Sequence, residues 1–210
     1  SFGTLNLDLS QKFSVDLGLS VDWATCNLGA SSPLECGDYY AWGEVLPYYR
    51  EGPSQTSVNM WRPGKTSGYT WTSYTWCNGS NSTLTKYNVN SAYGSVDNNK
   101  VLLLSDDAAN YNNTSRRIPK KTEWQELKDN CNVKSIVING IKGILCTSKV
   151  NGNSIFLPAA GLFYGTGLSD VNNWGYYWTS SLYTGWPDNS NLSQVYLVNI
   201  IQILMIIKIA

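Results

Sequence analysis

The residues with the strongest claim to chemistry are five cysteines: Cys26, Cys36, Cys77, Cys131 and Cys146. No two of them form a CxxC pair, so neither a zinc ribbon nor a thioredoxin-like redox motif is spelled. An odd count leaves at least one thiol unpaired. Two readings stay open: buried free thiols that pack as small apolar groups, or a disulfide such as Cys26–Cys36 or Cys131–Cys146. Histidine is absent. Without imidazole there is no Ser-His-Asp or Cys-His arrangement, no imidazole general base and no His-containing metal site. The residue types therefore name no catalytic group, no metal ligands and no cofactor.

What remains is the chemistry of contact. The chain carries 14 Tyr and 9 Trp amid abundant Asn, Ser, Thr and Gly. Tyr and Trp give a large contact area at low entropic cost, and Asn and Ser add adaptable hydrogen bonds. Tyr183, Trp186, Asp188, Asn189 and Asn191 combine these types near the C-terminal end and form the candidate binding face. Trp23, Trp42, Trp124 and Trp178 are expected in the core, because large aromatics dominate core burial. Arg117 and Glu123 read as an ion pair of the scaffold. Asn78, Asn81, Asn112, Asn113 and Asn191 each start an N-x-S/T triplet, which this composition produces by chance.

Bulk properties narrow the partners. Lys+Arg and Asp+Glu balance at 15 each, and charged residues make up only 14%. Such a surface offers no electrostatic footprint for a phosphate backbone, so nucleic acid is not expected. A hydrophobic share of 42% over 210 residues allows a sizeable core in one domain. No signal peptide or full-length membrane span is visible, although the chain opens on Ser1 without Met, which leaves a preceding segment open.

These residues must be positioned by a mixed set of elements. Ser14 to Ala30 alternates loosely and reads as one or two strands broken at Gly18. Gly37–Glu44 reads as an aromatic turn and strand. From Pro47 to about Asn99 the composition predicts long ordered loops pinned by Trp61, Trp71 and Trp76. A short helix is predicted from Ser105, with Asp106 and Asp107 at the positive end of its dipole. A second starts at Thr122, where Thr122-Glu123-Trp124-Gln125 spells a capping box. Strands follow at Ser135–Ile138, Ile141–Thr147 and Ser154–Pro158, with Asn139-Gly140 and Asn151-Gly152 as hairpin turns. Tyr176–Leu182 reads as a further strand. Few helices among many short strands indicate an α+β fold with a twisted antiparallel sheet. Residues 1–13 read as an extension or linker, 14–198 as a single domain and 199–210 as an atypical apolar tail.

Six segments together resemble a known family: VDLGLSVDWATCNLGA (15–30), GDYYAWGE (37–44), LSDDAA (104–109), RRIPKKTEWQEL (116–127), NGNSIFLPAAG (151–161) and GYYWTSSLY (175–183). The resemblance is to the Fibrobacter succinogenes major paralogous domain and covers about residues 14 to 190. That family is similar to the C-type-lectin-like fold of formylglycine-generating enzymes and of retroelement-variable proteins. RIPKKTEW looks like the helix-entry motif of those enzymes, and YYWTSS like their core strand. The resemblance implies an extracytoplasmic or cell-surface protein, often lipid-anchored, that displays loops on a rigid scaffold. It implies no enzymatic activity. An unknown extracellular protein or a glycan would be its partner, and the domain is expected to be a monomer.

Two alternatives belong to the same fold. Calcium-dependent sugar binding needs clustered oxygen ligands, which lectins supply through EPN or QPD with WND. None of these occurs, and Trp186-Pro187-Asp188-Asn189 is only a superficial echo. Formylglycine generation uses a cysteine pair near the C-terminal end of the fold. Here the last cysteine is Cys146, and likeness of fold does not carry function without the site.

The tail departs from this pattern. Ile occurs six times in the first 199 residues and six times in the last 11. NIIQILMIIKIA (199–210) is a continuous apolar run, too short for a membrane span, where the family continues with a polar stretch and a closing strand. A shift of reading frame shortly before Asn199 is the expectation, with a genuine buried terminal strand as the alternative. A β-branched, weakly charged run of this kind also favours aggregation, so poor solubility is expected.

Overall fold

The computed structural model describes residues 14–50, 60–183 and 207–208. In chain order the strands are β1 (Ser14–Val15), β2 (Asp22–Ala24), β3 (Tyr49–Arg50), β4 (Met60–Trp61), β5 (Arg116–Arg117), β6 (Cys131–Ile138), β7 (Ile141–Ser148), β8 (Ser154–Pro158), β9 (Leu162–Tyr164), β10 (Gly167–Ser169) and β11 (Ile207–Lys208). The α-helices among the described residues are α1 (Ala108–Asn112) and α2 (Lys121–Asn130). The fold is mixed α and β, with small antiparallel sheets joined by long ordered coil.

The most regular part is the sheet β6-β7-β8. Its first turn is Asn139-Gly140, with φ of 49° and 81° at the two residues. Both angles are positive, as the two-residue turn that matches strand twist requires, and Ile138 faces Ile141 across it. The second connection is longer than a two-residue turn. Of Asn151 and Gly152 only Gly152 has positive φ, and the loop closes through Ser148 N–H to Asn153 O at 2.8 Å. Ile144, Leu145 and Cys146 of β7 are buried, as are Ile155, Phe156 and Leu157 of β8. A five-residue connection leaves polar groups to spare. The Asn151 and Asn153 side chains use them to donate to Asp16 O, at 3.1 and 2.8 Å.

Helix α2 starts two residues earlier than the capping-box reading places it, with Lys120 rather than Thr122 at the N-cap. Glu123, not Gln125, reaches back, accepting the Lys120 N–H at 2.7 Å. Thr122 therefore lies inside the first turn. The register is set by Arg117, which holds the Glu123 carboxylate from the preceding strand. The helix buries Leu127 and lays Trp124 against Trp23, with ring centroids 4.8 Å apart and an edge-on angle of 66°. The shorter helix α1 is capped by Asp107. Its Oδ1 accepts the Ala109 and Asn110 N–H groups at 2.8 and 3.2 Å, while Oδ2 takes the Ile118 N–H at 2.7 Å. The preceding Leu104–Asp106 segment is a 3-10 turn rather than the start of the helix.

A four-stranded sheet runs β1-β2-β11-β5. Ile207 lies opposite both Trp23 and Arg117, and Lys208 opposite Asp22 and Arg116. Part of the apolar tail thus stands between the first hairpin and the strand that leads into α2.

Two expected strands are coil. Gly37–Glu44 forms turns rather than a ladder, and Tyr176–Leu182 carries only isolated bridges. The second segment changes partner along its length. Ser180 N–H bonds Pro119 O, while Leu102 N–H bonds Ser180 O and Leu182 N–H bonds Lys100 O. A strand whose neighbours change every few residues cannot build a regular ladder. No helix among the described residues is long and apolar enough to cross a membrane.

Candidate functional site

The two aromatic coils face each other across a cavity with a volume of about 560 Å³. Its walls come from four stretches distant in sequence: 38–48, 69–74, 160–165 and 176–178, joined by Asn27, Leu28, Cys36, Ala108 and Ile118. Among the described residues that line it, half are aromatic and Asp38 is the one charged residue.

Coil needs partners for its backbone, and here aromatic side chains supply them. Trp42 Nε1–H donates to Thr179 O at 2.7 Å, and Trp178 Nε1–H donates to Tyr40 O at 2.8 Å. Tyr39 OH donates to Ala160 O at 2.8 Å, Tyr69 OH to Tyr39 O at 2.6 Å, and Tyr74 OH to Trp42 O at 2.8 Å. Tyr177 OH donates to Pro158 O at 2.5 Å. The rings then pack edge-on around one another: Phe163 lies 5.0 Å from Tyr39 and 5.4 Å from Trp61. Tyr69 stacks flat on Tyr48 at 4.5 Å. Most of the lining rings thus have their polar tips engaged by the scaffold.

Burial pushes the Tyr48, Tyr74 and Tyr177 phenols well above their ordinary range, with the Glu44 carboxylate adding to the rise at Tyr48 and Tyr74. They remain protonated, as their donor roles demand, and none is a phenolate nucleophile or base at neutral pH. One buried acceptor is left over. Asn27 is 7% exposed, its Nδ2 donates to Cys36 O and Tyr177 OH, and its Oδ1 has no protein partner.

Beside the cavity the fold repeats one arrangement. Lys65 lies 4.2 Å above the Tyr48 ring and also contacts the Glu44 carboxylate and the Tyr48 oxygen. Lys86 lies 4.4 Å above Trp76 and 5.2 Å above Tyr87, and it pairs with Asp106, which also accepts the Tyr87 hydroxyl. In each case an ammonium is held by a ring face and by a buried carboxylate that also accepts a tyrosine hydroxyl. The spacing of these residues in sequence gives no hint of the grouping.

The sequence-derived binding face divides. Tyr183 is half-buried and does not line the cavity; Trp186, Asp188, Asn189 and Asn191 lie outside the described residues. Trp23 and Trp42 are buried, and Trp124 and Trp178 pack half-buried against the core. Trp42 and Trp178 are also cavity walls. The signal that could have found this site was present in the aromatic segments 37–44 and 175–183, read there as strands.

Metal and thiol chemistry find no constellation here. No group of three or more Cys, Asp or Glu among the described residues is placed to hold a metal ion. All five cysteines are free thiols. Cys131 pairs in register with Ser148, and Cys146 with Val133, so these two cysteines stand two residues apart across the ladder. Burial pushes the Cys146 thiol far up and raises Cys131 as well.

Comparison of the chain with family models, curated proteins and solved structures gives no match.

Proposed function

We propose that this chain is a non-catalytic binding domain of the extracytoplasmic or cell-surface kind, built on a C-type-lectin-like scaffold. The observation that carries the reading is the aromatic cavity, whose rings are locked by hydrogen bonds to the backbone of the opposite wall. A preformed concave site with rigid walls binds without the ordering cost that weakens flexible loops. Among the described lining residues, the engaged phenols, the half-buried Cys36 thiol and the Asp38 carboxylate assemble no nucleophile–base pair. The short antiparallel sheets, the long tied coils and the six sequence segments support the resemblance to the Fibrobacter succinogenes major paralogous domain.

The test is a binding screen with intrinsic Trp fluorescence as readout, across glycans, peptides and small organic molecules. The reading expects saturable ligands that protect the cavity rings and leave the ligand chemically unchanged. Turnover of any ligand, or binding that persists when Phe163 and Tyr69 are replaced by Leu in a folded variant, would overturn it.

A further inference from the structure

We infer that strand β6 is the contact edge of a symmetric dimer, pairing antiparallel with β6 of a second copy about a two-fold axis through Ser135. This surface is separate from the cavity, to which β6 contributes no lining residue. It replaces the monomer expected from the family resemblance with a weak monomer–dimer equilibrium.

β6 ends the order β6-β7-β8, and its eight residues run opposite β7 without a bulge from Cys131 to Ile138. Along such a strand, residues that bond the neighbour alternate with residues whose N–H and C=O point away from it. The two-residue turn makes Ile138 and Ile141 a bonded pair. The other side of β7 has the complementary phase, since Lys142 O accepts the Ala159 N–H just beyond β8. The backbone groups of Val133, Ser135 and Val137 therefore face away from β7, and none of them bonds a described residue. Cys131, next in the same series, gives its N–H to Leu127 O at the end of α2. The open stretch is bounded by a helix at one end and a tight turn at the other.

The side chains of this series lie on the core face of the sheet. Val133 stands opposite Cys146 and Ser135 opposite Ile144, both buried, and these in turn face Ile155 and Leu157 of β8. Yet Val133 is 37% exposed and Val137 61%, because the sheet stops at β6. A further strand would cover them. Edges that must stay single are guarded by Pro, by a bulge or by several charges. β6 has neither of the first two, and its single charge, Lys134, belongs to the opposite face.

Register decides what fits this edge. A two-fold axis through Ser135 sets Val133 opposite Val137 of the partner subunit and Ser135 opposite its own copy. Every open N–H and C=O of the series then meets its complement. On the other face, Lys134 lies opposite Ile136 of the partner subunit, on which its aliphatic stem can rest. Moving the axis by one residue spoils the match. Centred on Lys134, it sets two ammonium groups directly opposite each other. Centred on Ile136, it leaves Val133 opposite the turn at Asn139. β6 is self-complementary in one register, which selects a second copy over a foreign strand.

The experiment is sedimentation equilibrium of the full chain from about 5 to 500 μM, a span that brackets the roughly 10–100 μM Kd expected of a one-strand contact. The unmodified chain should pass from monomer to dimer across it. Ser135→Pro removes an N–H that bonds nothing in β7, so it should spare the hairpin and weaken dimerisation about tenfold. Ser135→Lys keeps that N–H but sets two ammonium groups face to face, and should weaken dimerisation by about the same factor. Thermal melts at the lowest concentration verify that both variants are folded. Register is read by cross-linking with oxidised glutathione. Ser135→Cys should link to its own copy, whereas Val133→Cys and Val137→Cys should link only when mixed, since each faces the other across the axis. A chain that stays monomeric throughout would overturn the inference and leave the edge to a strand of another protein. Association insensitive to both Ser135 variants would also overturn it, assigning the contact to another surface. Self-linking of Val133→Cys as readily as of Ser135→Cys would overturn the register, and with it the choice of a second copy.

Discussion

Trp42 and Trp178 brace the cavity from both sides, Trp42 donating to Thr179 O, next to Trp178, and Trp178 donating to Tyr40 O, two residues before Trp42. Two coil segments with no shared ladder are thereby fastened at two adjacent points. Replacing either Trp with Phe keeps most of the ring and deletes the donor. Each variant should lose about 1–2 kcal/mol in urea unfolding, because a part-buried carbonyl is left unsatisfied. The double variant should lose less than the sum of the two, because the bonds brace the same pair of segments. Strict additivity in the double-mutant cycle would show that the segments are held independently.

Arg117 grips both carboxylate oxygens of Glu123, and Oε2 also takes the Lys120 N–H. Burial alone would raise the Glu123 carboxyl, but the guanidinium and the backbone donor outweigh it and hold it below its ordinary 4.5. The folded value lies under the unfolded one, so this carboxylate contributes its full stability above pH 4.5 and loses it as pH falls through the lowered folded value. Glu123→Ala should cost about 2–4 kcal/mol near neutral pH, since it leaves a part-buried guanidinium unpaired. Glu123→Gln should flatten the stability profile as pH falls below 4.5, where this linkage acts. Denaturant titrations across that range read both effects.

The elements that were legible in sequence are those fixed by local chemistry. Asn139-Gly140 demands two positive φ angles, and the hairpin β6-β7 follows from it. Asp107 sits where α1 begins because a short acid can cap it. Helix α2 was legible to within two residues, and the slip came from Glu123, whose partner Arg117 lies in another element. The cavity was not legible. Its rings come from four stretches brought together only by folding, and aromatic density in 37–44 and 175–183 reads equally well as buried strand. The Lys65 and Lys86 arrangements were hidden for the same reason, since their carboxylates are set by tertiary contact and not by spacing.

Gly64 and Gly68 adopt nearly the same backbone, at φ of +78° and +84°, in different surroundings. A Cβ at Gly64 meets nothing within 4 Å, whereas one at Gly68 would lie 2.3 Å from the Gly165 carbonyl oxygen. Gly64→Ala should cost about 1 kcal/mol, the strain of the left-handed conformation alone. Gly68→Ala should cost about 3 kcal/mol or more, because a backbone carbonyl at the cavity wall must move. Thermal melts of the two variants side by side separate strain from collision.

The five thiols differ in access. Cys77, Cys131 and Cys146 are buried, while Cys26 and Cys36 are half-buried. A thiol reagent should modify only Cys26 and Cys36 in the native protein at pH 8, and slowly at Cys26, whose thiol burial also raises. In denaturant all five should react. Rapid native labelling at Cys146 would show that the β7 core opens readily.

The strand β11 stands between β2 and β5, so Ile207 must meet Trp23, from near the other end of the sequence, and Arg117, from its middle. During synthesis both of its neighbours emerge long before it does. Until residue 208 has cleared the ribosome, β2 and β5 lack their shared partner, and each keeps an open row of amide and carbonyl groups. Contacts of such high sequence separation form late and slowly. This sheet is therefore completed only when residues 207–208 join it, and a nascent chain paused short of residue 207 carries an unfilled central slot to which another strand could add.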